Sequence, residues 1–425
     1  MARKASSSRS SSSQSSSTKR ANGGKRPNPL LTLIGALLIA ITAYCSTSGA
    51  DGNVTPPTSA PSTRVAPATT IPITPTIPPT AVSSGGLQTF TLGTQGFGAQ
   101  KGFWQVFFTN PSGSSDRTTY RGGLDEILAS AIGTVTRTLD IAAFEWNSPA
   151  LTTAVADAAR RGVLVRMVVD DEHTMEDSNT TIQTVISAGA NVVDDERSAL
   201  MHDKFMILDS TTVWTGSWNY TINDTYRNNN NALALRSRNA VAIYQAEFDE
   251  MFANGSFGPR STRGANQTFT QDGVPVQVYF AAEDDVVGAL RTTLSGATRS
   301  IRFMAFSFTL EDVGQVLLDR ATAGVSVTGI FETTGSETRF SELTSLFCAG
   351  LDARQDGGPF VLHHKVFIVD ERIVIAGSFN FSAGARDSND ENMFIITDPD
   401  LAAQYIAEFN RRFAQARRPL NLTCN

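Results

Sequence analysis

Two short polar sets, each embedded in apolar sequence, are the parts of this chain equipped for chemistry. The first is His202, Lys204 and Asp209, followed by Gly216, Ser217 and Asn219. The second is His363, Lys365 and Asp370, followed by Gly377, Ser378 and Asn380, at identical spacing. Side chains alternate along a strand, so a strand from Met201 to Leu208 turns His202 and Lys204 to one face and Asp203 to the other. Asp209-Ser210-Thr211-Thr212 reads as a turn into a second strand, whose Gly-Ser-x-Asn end returns Ser217 and Asn219 to the histidine. An imidazole, an ammonium, a hydroxyl and a carboxamide at one point suit a phosphate. The cation and the neutral donors bind its oxygens, while the imidazole attacks phosphorus or carries a proton. One such set would be incidental. Two identical sets, whose stretches hold three of the four histidines (His202, His363 and the adjoining His364), are not. Neither set has a second histidine or carboxylate at ligand spacing, and lysine is a poor ligand, so the expected chemistry uses no metal and no cofactor.

The elements that must carry these sets also repeat. Gln105–Phe108 corresponds to Gln277–Phe280, and a helix comes after each, Gly123–Ile132 and Val286–Leu294. Next come strands ending in Phe144 and Phe306, then helices Ala150–Arg161 and Glu311–Ala323. A Gly and a β-rich run succeed each of these, Gly162–Val169 and Gly324–Phe331. Helices Thr181–Ala188 and Phe340–Ala349 precede the histidine strands. A strand (Ala232–Leu235; Asn392–Ile396) and a closing helix (Ala240–Phe252; Leu401–Arg417) complete each half. Alternating strands and helices predict an α/β fold with helices on both faces of the sheet.

The chain has 425 residues and a formal net charge of −6. Residues 1–29 hold seven basic residues and no acid, leaving 28 basic against 41 acidic residues, a net of −13, for the remainder. So acidic a body argues against non-specific nucleic-acid binding, which needs clustered Lys and Arg. Residues 5–18 are almost all Ser and predict disorder. An apolar run at 30–45 behind a basic flank reads as a signal sequence or membrane anchor, placing residues 46–425 outside the cytoplasm. Residues 46–86, with eight of the 17 prolines, read as an extended linker. The remaining boundaries are a first domain at 87–258, a connector at 259–274 and a second domain at 275–425.

With both sets in view, the chain resembles the phospholipase D superfamily, whose signature is His-x-Lys-x4-Asp followed by Gly-Ser-x-Asn. The second half, through Ser378–Ser382 and Asn389–Asn392, is similar to small bacterial phospholipase D-like endonucleases and mitochondrial cardiolipin hydrolases. The resemblance implies two similar α/β/α lobes with mixed sheets, related by a pseudo-twofold, with the active site at their interface. It implies a monomer, because one chain holds both motifs. It also implies metal-free phosphodiester cleavage through a phosphohistidine, with His202, Lys204, Asn219, His363, Lys365, Asn380 and Glu391 catalytic. Lys204, Ser217, Asn219, Lys365, Ser378 and Asn380 would bind the phosphate. The expected reaction is hydrolysis of phospholipid head groups by an exported enzyme. The alternatives are an extracytoplasmic nuclease acting on DNA or RNA, and phosphatidyl transfer of the cardiolipin synthase type. In relatives a carboxylate after the motif hydrogen-bonds its histidine. Glu391 holds that position after His363, and Asn230 holds it after His202. That reading makes His363 the resting acid and His202 the nucleophile. The opposite assignment holds if Glu391 strengthens His363 as a nucleophile.

Other residues admit blander readings. Asp209 and Asp370 end strands and are expected to hold turns. His364 faces away from His363 and reads as a packing or supporting residue. His173, in the acidic segment Asp170–His173, reads as a solvated loop residue, with substrate contact as the alternative. Trp146, Phe308, Trp218 and Phe379 serve either as pocket walls or as core. With Cys45 in the apolar run, an oxidising compartment leaves Cys348 and Cys424 to form a disulfide or to stay as buried thiols.

Overall fold

The computed structural model describes residues 86–262 and 267–424. The Ser-rich tract, the apolar run and nearly all of the Pro-rich linker lie outside the described residues. Among the described residues no helix is long and apolar enough to cross a membrane.

The first lobe runs β1 (Gln88–Thr91), β2 (Gly96–Lys101), β3 (Trp104–Thr109), α1 (Leu124–Gly133), β4 (Thr138–Ala143), α2 (Pro149–Arg160), β5 (Leu164–Val169), α3 (Ile182–Ser187), β6 (Asn191–Asp194), β7 (Lys204–Leu208), β8 (Thr212–Gly216), α4 (Ile222–Tyr226), β9 (Asn231–Leu235) and α5 (Arg238–Asn254). The second runs β10 (Thr268–Gln271), β11 (Val274–Ala281), α6 (Val286–Ser295), β12 (Ser300–Ala305), α7 (Glu311–Thr322), β13 (Ser326–Phe331), α8 (Glu342–Cys348), β14 (Asp352–Gln355), β15 (Lys365–Val369), β16 (Ile373–Gly377), α9 (Ala383–Asp387), β17 (Glu391–Thr397) and α10 (Pro399–Phe413). The sheets have orders β1-β2-β3-β9-β8-β7-β4-β5-β6 and β10-β11-β17-β16-β15-β12-β13-β14. Apart from β1 they are the same sheet twice. Strands β4, β5 and β6 run parallel, as do β12, β13 and β14, and the other pairs are antiparallel. The predicted mixed α/β lobes are therefore present.

Local sequence explains the helix ends. Ser148 accepts from Leu151 N ahead of Pro149, and Asp398 accepts from Asp400 N and Leu401 N ahead of Pro399. Helix α5 stops at Gly255, whose φ of 59° is the left-handed cap that glycine reaches without strain. Leu401, Tyr405, Glu408, Phe409 and Arg412 fall on one buried face of α10, and Val241, Tyr244, Glu247, Phe248 and Met251 on one face of α5. These faces share a single core with β3, β7, β11, β15 and β17 from both sheets. Two further cores lie under the outer helices, one in each lobe. Both lobes thus belong to one compact unit, joined through common packing.

Three elements differ from expectation. The hairpin β1–β2 carries no strong alternation, so the sequence pattern does not predict it. Strand β10 lies inside the predicted connector, where it pairs with β11. The histidine strands begin only at Lys204 and Lys365. The residues before them leave the sheet because their backbones bond to the other lobe. His202 N donates to Asp390 O at 3.0 Å, and His363 N donates to Asn229 O at 2.9 Å.

The motif aspartates hold the hairpin turns. Asp209 and Ser210, like Asp370 and Glu371, have positive φ near 50–60°. Asp370 Oδ1 accepts from Arg299 N and Ser300 N at 2.7 and 3.0 Å, and Oδ2 accepts from Thr298 Oγ1 at 2.8 Å. Asp209 makes the same bonds to Thr136, Arg137 and Thr138. Each aspartate ties its turn to the start of the neighbouring strand. Cys348, at the end of α8, is bonded to Cys424 across 76 residues of sequence, so the disulfide alternative is the one adopted.

Both kinds of tie have measurable consequences for stability. Burial raises the Asp370 carboxyl, but its backbone N–H donors outweigh that and bring it to about 2, against 3.8 when unfolded. A depressed acid stabilises the fold above its unfolded value and loses that contribution as pH falls through its folded value. Asp370→Asn is expected to cost on the order of 1–2 kcal/mol at neutral pH in urea unfolding, with the gap closing as pH falls from about 4 towards about 2. Cys348→Ser with Cys424→Ser is expected to lower stability by about 2–4 kcal/mol, and reductant should match that loss in the wild-type chain.

Candidate active site

The two motifs meet where the lobes join. In each, the Gly of Gly-Ser-x-Asn is obligatory. Gly216 and Gly377 have φ of 148° and 147°, and an added Cβ would lie 2.4 Å from Asn231 O or 2.2 Å from Asn392 O. This close approach carries the chain from β8 or β16 into the site. Asn219 and Asn380 come next, and β9 and β17 begin alongside.

His202, Lys204, Asn219, His363, Lys365, Asn380 and Glu391 are all buried. His202 feels the charge of both lysines and of His363, and His363 feels that of both lysines and of His364. Lys204 Nζ donates to His202 O at 2.7 Å and Lys365 Nζ to His363 O at 3.1 Å. Phe144 and Phe306 wall the site symmetrically. Their rings lie 4.5 and 4.8 Å from the His202 and His363 rings, and the lysine Nζ atoms sit 4.6 and 4.7 Å from the same rings. Trp146, Phe308, Trp218 and Phe379, which sequence alone leaves as walls or core, are all core. Trp146 and Trp218 donate to Thr152 and Thr225. The signal that marks the real walls is the phenylalanine directly after β4 and β12, beside the residues paired with Lys204 and Lys365.

The partners of the histidines overturn the expected pairing. Glu391 does not bond His363. Its Oε2 lies 2.7 Å from His202 Nδ1, in the other lobe. Reciprocally, Asn230 Oδ1 lies 2.9 Å from His363 Nδ1. The cause is the seam. Asp390 and Asn229, one residue earlier, pair through their backbones with Leu200–His202 and Val361–His363 of the opposite lobe. The next side chain therefore crosses over.

Burial and the two lysines push both imidazoles well below the usual histidine range, so both are neutral in the empty site. Burial lowers Lys204 to about 8, with Glu391, Glu145 and Asp224 opposing. Burial raises Glu391 to about 8, with both lysines opposing. Asp224 Oδ2 stands 3.5 Å from His363 Nδ1.

Two expected phosphate ligands are placed otherwise. Ser217 and Ser378 are fully buried. Ser217 Oγ donates to Asn230 Oδ1 and accepts from Asn231 N, and Ser378 Oγ accepts from Asn392 N. These hydroxyls hold the start of β9 and β17 rather than facing a substrate. The asparagines leave acceptors free, since Asn219 Oδ1 and Asn380 Oδ1 are buried with no protein partner; these suit a water or an alcohol hydroxyl, and only their Nδ2 groups can donate to a phosphate oxygen. Asn219 Nδ2 donates to Glu145 Oε2 at 3.0 Å, a carboxylate that the repeat does not reveal because Ser307 stands in its place in the other lobe.

His173 is not a solvated loop residue. It lies in a helical turn with Nδ1 2.8 Å from Asp170 Oδ1, and its ring is 4.5 Å from Phe144, which separates it from His202. Burial lowers His173, but the Asp170 bond and nearby carboxylates raise it further. Behind it Asp170, Asp171 and Asp195 come within ligand reach of one another. Backbone N–H groups and Arg197 already occupy the oxygens of Asp170 and Asp195, so these residues do not fit a resident cation.

The arrangement is a buried cluster of two lysines, the carboxylates that face them, and two imidazoles whose Nδ1 atoms are held from the opposite lobe. Comparison with known proteins agrees. A family described as "Cardiolipin synthase, PLD-like domain" matches residues 128–252 and 290–413, more than half of the chain. The mitochondrial cardiolipin hydrolase of Xenopus tropicalis is 38% identical over 116 residues, 27% of this chain and 55% of that protein. A phospholipase D of Rickettsia bellii is 34% identical over 140 residues, 33% of this chain and 70% of that protein. The chain spans about half the length of the cardiolipin hydrolases it matches. The structure of phosphatidylserine synthase from Haemophilus influenzae Rd KW20 shares the fold, with a TM-score of 0.55 at 13% identity over 69% of this chain and 84% of that one. The chain belongs to the phospholipase D-like family, with two of its domains in tandem.

Proposed function

We propose that this protein is a phospholipase D-type phosphodiesterase that hydrolyses phospholipid head groups through a phosphohistidine. The observation that carries the reading is the pair of motif histidines, each held at Nδ1 across the seam and each beside a buried lysine. Ionised Glu391 accepts a hydrogen bond from His202 Nδ1–H and leaves Nε2 to attack phosphorus. The imidazole becomes cationic as it is phosphorylated, and the carboxylate at Nδ1 stabilises that charge. His363 is neutral in the empty site and takes up one proton from solvent with the anionic substrate; with only an amide oxygen bonded to Nδ1, its imidazolium then passes that proton to the leaving alcohol. It then takes a proton from the water that hydrolyses the intermediate. Lys204, Lys365, Asn219 and Asn380 hold the non-bridging oxygens. His202 remains the nucleophile, as expected, but for the opposite reason: the carboxylate belongs to His202.

The acidic body and the carboxylates Asp170, Glu145 and Glu172 near His173 favour a lipid phosphodiester over a polyanionic nucleic acid. The relatives named phospholipase D and cardiolipin hydrolase point the same way. Nuclease activity and phosphatidyl transfer are the alternative outcomes of one screen, in which the purified protein meets phosphatidylcholine, phosphatidylglycerol, cardiolipin, and single- and double-stranded DNA. Activity on lipid that survives chelator supports the reading. Activity on DNA alone overturns it. We further propose that the chain acts outside the cytoplasm as a monomer, its basic flank and apolar run directing export. A reporter fused after residue 86 should be active only outside the cytoplasm.

His202→Ala and His363→Ala are each expected to lower kcat by about 10²–10⁴-fold or more while the thermal transition persists. Phosphate trapped on the enzyme should map to His202. Glu391→Gln should impair formation of that species, and phosphate on His363 would reverse the assignment. The acid form of His363 is depleted as pH rises, and its basicity is already lowered by burial and both lysines. Glu391, raised to about 8, must be ionised, so the expected kcat/KM is bell-shaped, falling on the acid side as Glu391 is protonated and on the alkaline side as His363 loses its acid form.

A further inference from the structure

His364 is fully buried, on the side of the motif strand away from His363. Its Nε2 lies 3.2 Å from Glu408 Oε1. Glu408 is held by Arg411 and Arg412, each at 3.1 Å. On the other side of the ring, Nδ1 lies 3.1 Å from Asn231 Nδ2 of the first lobe. Asn231 Nδ2 also lies 3.2 Å from Ser217 Oγ, and Asn231 Oδ1 accepts from Tyr405 at 3.1 Å. Ser217 Oγ lies 2.8 Å from Asn230 Oδ1, the atom that faces His363 Nδ1.

The donor sense of this series is set at its far end. An arginine-bound carboxylate only accepts, so His364 Nε2 carries the hydrogen and Nδ1 accepts. Asn231 must then donate through Nδ2. Ser217 Oγ accepts from Asn231 N and Nδ2, so its one hydrogen goes to Asn230 Oδ1. With its oxygen fixed towards His363, Asn230 accepts, and His363 Nδ1 is the donor. We propose that Glu408 and His364 are positioning residues that, through Asn231, Ser217 and Asn230, hold His363 in its Nδ1–H form and so present Nε2 to the reaction.

The first lobe supplies the contrast. Asp203 stands where His364 stands, and Asn392 Nδ2 donates to it at 2.6 Å. Glu247 stands where Glu408 stands and is bonded to Glu283 instead of a histidine. There the reacting histidine has a carboxylate of its own, Glu391. The relay occurs in the lobe whose motif histidine lacks one. It delivers the orientation that a hydrogen-bonded carboxylate would give and keeps the Nε2 lone pair towards the reacting atoms, where it takes up the proton that it later passes on.

The kinetic part rests on the proposed phosphodiesterase activity, but the tautomer does not. The chain has four histidines, so the full-length protein labelled with nitrogen-15 at histidine gives a countable set of ring nitrogens. In the wild-type protein at neutral pH, His363 Nδ1 is expected to be protonated and Nε2 not. His364→Leu removes the acceptor, and Ser217→Ala breaks the next link. Both are expected to release His363 into a mixture with the Nε2–H form. His364→Asn keeps an acceptor oxygen and is expected to restore the wild-type pattern. On a substrate with a poor leaving group, His364→Leu is expected to lower kcat about 10-fold with KM nearly unchanged, and to shift the high-pH limb. A His363 that stays Nδ1–H in both His364→Leu and Ser217→Ala overturns the proposal. If His364→Leu does not fold, the Ser217→Ala spectrum decides alone. If the wild-type protein cleaves no phosphodiester, the spectra still decide the tautomer, and only the functional reading falls.

Discussion

Two lysines and two histidines are buried where the lobes meet, and a charge removed from water must be answered inside the protein. The rest of the structure is arranged around that demand. Glu391, Glu145 and Asp224 place carboxylates against Lys204. Phe144 and Phe306 lay their ring faces against the two ammonium groups. The sheets bring these residues together by pairing Lys204 with Ala143 and Lys365 with Ala305, next to the walls. What remains unsatisfied among the site's side chains is two asparagine oxygens, which a water or an alcohol hydroxyl would complete.

The seam is an exchange of equivalents. Each lobe offers the other a backbone pair and then the next side chain. In a symmetric pair both side chains would be the same. Here one is a carboxylate and the other an amide. In the proposed mechanism that difference separates the tasks, the carboxylate serving the histidine that bears positive charge and the amide the one that releases a proton. The layer beneath is unequal in the matching sense, with His364 and Glu408 on one side and Asp203 and Glu247 on the other.

Much of this is legible in the chain. The repeated spacing of His, Lys, Asp, Gly, Ser and Asn identifies both halves of the site, because each half is a local hairpin whose geometry depends on residues a few positions apart. The strand and helix order comes from apolar periodicity, and the turn role of Asp209 and Asp370 from their position. Local sequence does not say which lobe a side chain enters. The offset from His363 to Glu391 is a distance along one lobe, whereas the contact runs between lobes, so the sequence pattern assigns the carboxylate to the wrong imidazole. The serine hydroxyls are misplaced for a related reason: the close approach at Gly216 and Gly377 turns Ser217 and Ser378 inward. His173 sits against Phe144 only because β5 ends beside β4 in the folded sheet. The sequence determined which groups are present and what chemistry they share. The tertiary structure decided which of them face one another, because the seam joins residues more than a hundred positions apart, where no local pattern reaches.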